Sequence, residues 1–123
     1  VTIRGHAIEC RINAEDPDKG FRPSAGKIDL WQTPGGPGVR LDTHVVPGYV
    51  VPPNYDSMVA KLIVHADTRE EALDRMARAL REFNVGPIKT VIPLHQRLVE
   101  NSDFRRGGVD IHYLERLLKA ADR

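Results

Sequence analysis

Charged and amide side chains alternate with apolar ones in a short stretch near the start of the sequence, HAIECRINAED at positions 6 to 16. In a β-strand successive side chains point to opposite faces, so Glu9, Arg11 and Asn13 would share one face. The fork of donors on arginine suits bidentate binding of a planar, carboxylate-like anion, and Glu9 is placed to hold that fork. A solvated strand face is the alternative interpretation. Residue chemistry alone therefore reaches only a candidate anion or oxyanion site at Arg11.

Other kinds of catalytic or metal site find little support. His6, Glu9 and Cys10 lie close in sequence, but on a strand Glu9 points away from the other two, and no second Cys/His pair has zinc spacing. We therefore predict no metal site. The sequence contains no G-x-S-x-G elbow, and PGGPG leads into a strand pattern rather than a Gly-Lys-Ser/Thr helix start, which predicts a turn.

Composition predicts an ordinary globular domain. The 123 residues suffice for one domain, residues 1–123, and 18 basic against 17 acidic residues argue against a nucleic-acid partner. No apolar run approaches the ~20 residues of a membrane helix, so we expect no membrane and a cytosolic location. The single cysteine, Cys10, excludes an internal disulfide and is predicted to be buried and unreactive. Because Val1 comes first and both methionines are internal, we expect a piece of a longer protein.

The first half of the sequence is rich in strand patterns. Alternating or short apolar stretches predict strands at 6–13, 27–31, 39–45 and 58–66, separated by segments rich in proline and glycine. Short turns between strands favour antiparallel pairing.

Helical periodicity dominates the second half. A helix is predicted over 68–83, with Thr68 and Glu71 as a capping box and Gly86-Pro87 as the stop. Further on we predict a short strand over 87–92, a helix over 93–100, a loop over 101–108 and a terminal helix over 111–123. Strands first and helices later favour the α+β class, a curved, barrel-sandwich-like antiparallel sheet with about three packed helices in the second half.

Seven stretches together resemble the C-terminal domain of biotin carboxylase in order and spacing. They are GHAIECRINAEDP, GKI, PGGPGVR, VPPNYDSMVAKLIVH, IKT, IPLHQRL and DIHYLE, and they cover the chain from Gly5 to about Leu117. The resemblance implies the biotin carboxylase component of an acetyl-CoA carboxylase, or a relative acting on propionyl-CoA, pyruvate or urea.

The resemblance implies an activity shared with an upstream ATP-grasp region of the same protein. Such enzymes use ATP to activate bicarbonate as carboxyphosphate and transfer the carboxyl group to N1′ of biotin held on a carrier protein. The magnesium ligands would lie outside this chain. The implied partners are the biotin carboxyl carrier protein, a carboxyltransferase and a second copy of the chain in a homodimer.

The resemblance also implies roles for individual residues. Arg11 corresponds to the family arginine that contacts bicarbonate and stabilises the enolate-like oxygen of biotin, with Glu9 and Asn13 orienting it. Asp56 corresponds to a supporting aspartate near the active site. This would explain why the HAIECRINAED strand carries charge on one face.

The remaining implied residues belong to the nucleotide pocket and the dimer interface. Ile111 and His112 correspond to residues that lie against the adenine of ATP. Arg40 corresponds to an arginine of the homodimer interface. Some members have phenylalanine three positions before it, where this chain has Pro37, a departure that bears on dimer strength.

A rival hypothesis is a non-catalytic module that uses the same fold for dimerisation or carrier-protein contacts. Under either hypothesis we expect the isolated chain to be inactive, because the sequence carries no phosphate loop or magnesium ligand set.

Overall fold

A computed structural model describes residues 1–53 and 57–121 of the chain. Within that part, the helices are α1 (Arg69–Glu82), α2 (Ile92–Glu100), α3 (Ser102–Arg106) and α4 (Tyr113–Ala121). The strands are β1 (His6–Asn13), β2 (Glu15–Asp16), β3 (Arg22–Pro23), β4 (Gly26–Lys27), β5 (Leu30–Gln32), β6 (Val39–Thr43), β7 (Val50–Val51), β8 (Met58–Ala66) and β9 (Asn84–Gly86).

The three longest strands form an antiparallel sheet in the order β1-β8-β6, with β8 in the middle. Cys10 and Ile12 of β1 lie on the same face as Leu62 and Val64 of β8, and all four are buried. This face packs against α1 and forms one wall of the core. The opposite face, which we call the open face, carries the polar residues of the same strands.

Helix α1 shows the Thr68 half of its predicted capping box and the predicted apolar face. The hydroxyl oxygen of Thr68 accepts a hydrogen bond from the backbone N–H of Glu71 at 3.2 Å. Leu73, Met76 and Leu80 recur at helical spacing and are almost completely buried against the sheet. The helix therefore holds the sheet through its apolar face.

Helix α1 ends at Glu82, within one residue of the predicted end at 83 and before the Gly86-Pro87 signal. Phe83 caps the helix, and its ring packs edge-on against Trp31 with the ring centroids 5.3 Å apart. The next three residues form β9, which pairs with β5. The helix thus ends at the point where the chain turns into β9.

The predicted strand over 87–92 is wrong. Pro87 has no N–H to give to a strand ladder, and the N–H of Lys89 donates to the hydroxyl of Ser24 at 2.9 Å instead. Residues 87–91 are not assigned to a strand, and α2 begins at Ile92.

The predicted loop over 101–108 contains the short helix α3. The side-chain oxygen of Asn101 caps this helix by accepting from the N–H groups of Asp103 and Phe104, at 3.0 and 3.1 Å. Five residues are too few to show helical periodicity, which is why the sequence predicted a loop here. The terminal helix begins two residues later than predicted, at Tyr113, and residues 122–123 lie outside the described part of the chain.

The predicted α+β class, with antiparallel strands and packed helices, is confirmed. The described strands form one three-stranded sheet and three two-stranded pairs, none of them closed. The predicted strand over 27–31 is divided into β4 and β5 around the buried Ile28, and the strand predicted over 39–45 ends at Thr43.

Replacing Leu80 by alanine should lower the free energy of unfolding by about 2–5 kcal/mol, because a fully buried side chain leaves a cavity between α1 and the sheet. Urea unfolding of the chain measures this. The matched control is Leu30→Ala, since Leu30 is 52% exposed, and a change within about 0.5 kcal/mol is expected there. Equal losses in the two variants would contradict this account of the core.

Candidate functional site

The open face brings a row of charged side chains together. Arg11 of β1 lies directly opposite Lys61 of β8, and Asp42 of β6 lies opposite Lys61 on its other side. Because residues in register point to the same face, the row runs Arg11, Lys61, Asp42 across the sheet. The adjacent row contains Glu9, Ile63 and Arg40 in the same order. This face offers two cations side by side, which is suited to binding an anion.

The guanidinium of Arg11 is exposed, as the alternation predicted. It makes no hydrogen bond or ion pair with any residue in the ranges 1–53 and 57–121. Its charge is therefore left for a group beyond those residues.

The backbone of Arg11 is held on both sides. β8 pairs with one edge of β1, and on the other edge the Nε2–H of His95 donates to the carbonyl oxygen of Arg11 at 2.8 Å. Two residues on, the N–H of Val91 donates to the carbonyl of Asn13 at 3.1 Å. These contacts cover an otherwise unpaired strand edge and fix where the arginine leaves the sheet.

His95 helps to hold the backbone of Arg11. The sequence did not reveal this role, because Arg11 is far from His95 along the chain. The ring is half-buried between α2 and β1. Burial lowers the pKa of His95, although the hydrogen bond to the Arg11 carbonyl acts in the opposite direction. The ring therefore favours its neutral form, with a proton on Nε2 to donate.

Two of the residues predicted to support Arg11 can be located. Glu9 is exposed on the same face as Arg11, but no hydrogen bond or ion pair joins them. Asn13 is half-buried beyond an irregularity in the register after Ile12, and its backbone binds the N–H of Val91 just before α2. Asp56 lies outside the described residues. The orienting roles of all three stay predictions.

Arg40 and Pro37 lie at the start of β6. The guanidinium of Arg40 holds Asp42 through two hydrogen bonds of 2.9 and 3.0 Å, and these raise the pKa of Arg40. Pro37 is exposed in the predicted turn. Gly38 ends that turn with φ +72°, and an added Cβ would lie 2.6 Å from the carbonyl oxygen of His65, so only glycine fits. Both predicted interface residues thus face outward.

Ile111 and His112 form an exposed turn just before α4. The side chain of Ile111 is 91% exposed. Asp110 fixes the turn by accepting from the N–H of His112 at 2.9 Å and from Arg116 at 3.1 Å, and these bonds lower the pKa of Asp110, the Arg116 contact contributing most. An apolar side chain is therefore presented outward on a braced turn.

Cys10 is buried, as predicted. Burial raises the pKa of the thiol to about 12, with a smaller contribution from the charge of Glu9. The thiolate needed for nucleophilic or metal chemistry is therefore disfavoured at neutral pH.

Across the described residues, no group of three or more His, Cys, Asp or Glu side chains could hold a metal ion. Likewise, none of the described helices is both long and apolar enough to span a bilayer.

The described residues thus define an α+β domain that presents a row of charges on one face of a small antiparallel sheet. Residues 9–116 match the family described as the biotin carboxylase C-terminal domain. The chain belongs to this family.

Curated relatives agree with the family. The chain is 57% identical over 118 residues to a biotin carboxylase of Haemophilus influenzae, covering 96% of this chain and 26% of that protein. It is 48% identical over 122 residues to one of the pyruvate carboxylase subunits of Methanothermobacter thermautotrophicus, covering 99% of this chain and 25% of the relative. The chain therefore spans about a quarter of the length of these relatives.

Solved structures agree as well. The biotin carboxylase domain dimer of Hydrogenobacter thermophilus 2-oxoglutarate carboxylase, in complex with MgADP, ADP and bicarbonate, superposes with a TM-score of 0.92 at 46% identity, covering 94% of this chain and 26% of that one. The biotin carboxylase component of a pyruvate carboxylase gives a TM-score of 0.93 at 44% identity, covering 97% and 26%.

His95 should make stability depend on pH. Its folded-state pKa lies below the unfolded value of about 6.5, so its neutral form contributes stability that is complete above that pH and is lost as the pH falls from there through the lower folded-state pKa. The free energy of unfolding of the parent should therefore fall more between pH 7.5 and 5.5 than that of His95→Gln. Urea unfolding at each pH measures the difference.

The control for this experiment is Gln96, an uncharged residue next to His95 on α2, replaced by alanine. Gln96→Ala should keep the parent's pH dependence, because glutamine does not titrate. A His95→Gln variant with the same slope as the parent would show that this histidine does not titrate differently in the fold.

Proposed function

We propose that this chain forms the part of a biotin carboxylase that presents Arg11 to a site where bicarbonate and carrier-bound biotin react. The observation that carries the proposal is the guanidinium of Arg11. It is exposed, it has no ionic partner among the described residues, and its backbone is held by β8 and His95. The family match over residues 9–116 supports this assignment.

The chemistry of a fixed guanidinium fits the reaction. The charge of arginine is permanent, and its donors form a rigid fork that matches a planar oxyanion. When N1′ of biotin loses its proton, negative charge develops on the ureido oxygen. A donor already aimed at that oxygen stabilises the charge without reorganising. Arg11 is the residue to which we assign this role, with Glu9, Asn13 and Asp56 in support.

ATP and magnesium would be bound mostly by another part of the polypeptide. No group of acidic or histidine side chains suited to a metal is found among the described residues, so we propose that magnesium is held by an upstream ATP-grasp region. ATP supplies the activating phosphoryl group when it is bound. Ile111 and His112 suit a smaller task, an apolar and aromatic surface against the adenine, because their turn is exposed and braced by Asp110.

Dimer contacts are proposed at Arg40 and Pro37. Both residues are exposed and close together in sequence, and the Arg40 and Asp42 pair presents an ordered charged surface. The Hydrogenobacter domain named above is described as a dimer. A proline in place of a phenylalanine would leave less apolar area to bury across such an interface.

The identities of the final acceptor and of the carrier are also proposed, but they do not follow from the Arg11 site, because another part of the carboxylase selects the acceptor. We favour acetyl-CoA carboxylase, acting in the cytosol with a biotin carboxyl carrier protein and a carboxyltransferase. A pyruvate carboxylase is the alternative, and the 48% identity to the Methanothermobacter relative supports it. A non-catalytic dimerisation or carrier-binding module would not need Arg11.

Replacing Arg11 by alanine in the complete polypeptide should lower the biotin-dependent rate of ADP release by about 10²–10³-fold, because one preorganised donor to the developing charge is lost. Steady-state assays with bicarbonate and free biotin measure this rate. The exposed Arg22 provides the matched control, and Arg22→Ala should keep the parent rate. An unchanged rate in a folded Arg11→Ala variant would favour the non-catalytic module.

The 123-residue chain alone should show no biotin-dependent ATP cleavage, because the groups that bind phosphates and magnesium are proposed to lie elsewhere in the polypeptide. The same ADP assay tests this expectation, with the complete polypeptide as the positive control. Measurable turnover by the chain alone would contradict the division of roles proposed here.

A further inference from the structure

Lys61 lies beside Arg11 on the open face, and none of the residue roles proposed above involves it. The two residues are direct partners in the β1 and β8 register, so both side chains leave the open face. The carbonyl of Arg11 points outward to His95, which makes this a non-hydrogen-bonded pair, the type in which opposite side chains come closest. A guanidinium and an ammonium are therefore neighbours on one face.

Two like charges directly across a strand pair repel one another and destabilise the sheet. Neither finds a counter-charge among residues 1–53 and 57–121. Asp42, on the other side of Lys61, is already held by two hydrogen bonds from Arg40. Glu9 is on the same strand face as Arg11 but makes no ion pair with it. The described fold thus leaves two adjacent positive charges without an internal partner.

The surroundings leave room for a small ligand at Lys61. A cleft of about 400 Å³ at the end of the β6 and β8 pair is lined by Lys61 together with Asp42, His44 and Met58. Lys61 is half-buried in the wall of this cleft, whereas Arg11 is exposed and does not line it, so the register alone relates the two residues. A planar anion with several oxygens can accept from both groups at once.

We propose that Lys61 is a second anion-binding residue of the Arg11 site, donating from its ammonium group to the bicarbonate that Arg11 contacts from the neighbouring strand. This inference rests on the proposed function and adds to it a specific residue for the planar substrate anion. Repulsion between the two cations is relieved when the anion lies between them, so each cation strengthens the affinity contributed by the other.

The kinetic test compares three variants of the complete polypeptide. Lys61→Met removes the charge but keeps an unbranched side chain, Lys61→Arg keeps the charge, and Lys19→Met removes the same charge from an exposed position elsewhere. For Lys61→Met we expect the KM for bicarbonate to rise about ten- to hundredfold, the usual value of a charged hydrogen bond, with kcat changed less than about threefold. Lys61→Arg should restore the KM to within about threefold of the parent, and Lys19→Met should match the parent.

An unchanged KM for bicarbonate in Lys61→Met would overturn the inference. Equal losses in Lys61→Met and Lys61→Arg would overturn it too, because they would indicate a packing role instead of a charge. A change of kcat alone would likewise place Lys61 outside anion binding.

A binding measurement separates this inference from the proposed function. Bicarbonate should raise the Tm of the parent above that in chloride of equal ionic strength, and Lys61→Met should lose most of that rise. If the parent releases no ADP but keeps this difference, the anion site stands and the proposed function falls. If the parent is active and Lys61→Met shows the parental KM and Tm rise, the inference falls and the proposed function stands.

Discussion

The antiparallel register between β1 and β8 is the constraint on which the candidate site depends. Side chains alternate with a period of two, so a slip of one residue would carry Arg11 into the core and expose Cys10. Such a slip is resisted because Cys10 and Ile12 meet Leu62 and Ala60 across the buried face. The same register that buries these residues sets Arg11 opposite Lys61.

The edge position of β1 explains how a charged side chain can be both unpaired and well placed. An edge strand exposes backbone groups, and two of them are covered, the Arg11 carbonyl by His95 of α2 and the Asn13 carbonyl by Val91 just before α2. The backbone is thus fixed from both sides while the guanidinium stays unengaged by described residues. That combination is what an electrostatic site requires, since a donor fixed in advance does not have to reorganise when charge develops.

Several features of the chain make sense together if its site is shared with another part of a longer polypeptide. The apolar side chain of Ile111 stands almost fully exposed on a turn braced by Asp110, and within the described residues the charges of Arg11 and Lys61 lack partners. Such features cost stability in isolation. In a biotin carboxylase, as proposed here, a nucleotide and an anion would offset that cost.

The sequence by itself determined what depends on local spacing: the α+β class, the strand with Arg11 outward and Cys10 inward, and helix α1 with its Thr68 cap. The sequence was misleading or uninformative where contacts between residues distant along the chain determine the local structure. Residues 87–92 did not form a strand because Pro87 lacks a donor and Lys89 bonds to Ser24. The pairing of Arg11 with Lys61 joins positions that are 50 residues apart. The hydrogen bond from His95 to the Arg11 carbonyl joins positions that are 84 residues apart. Only tertiary structure brings such residues together, because neither period nor propensity specifies which strands pair or which helix covers an edge.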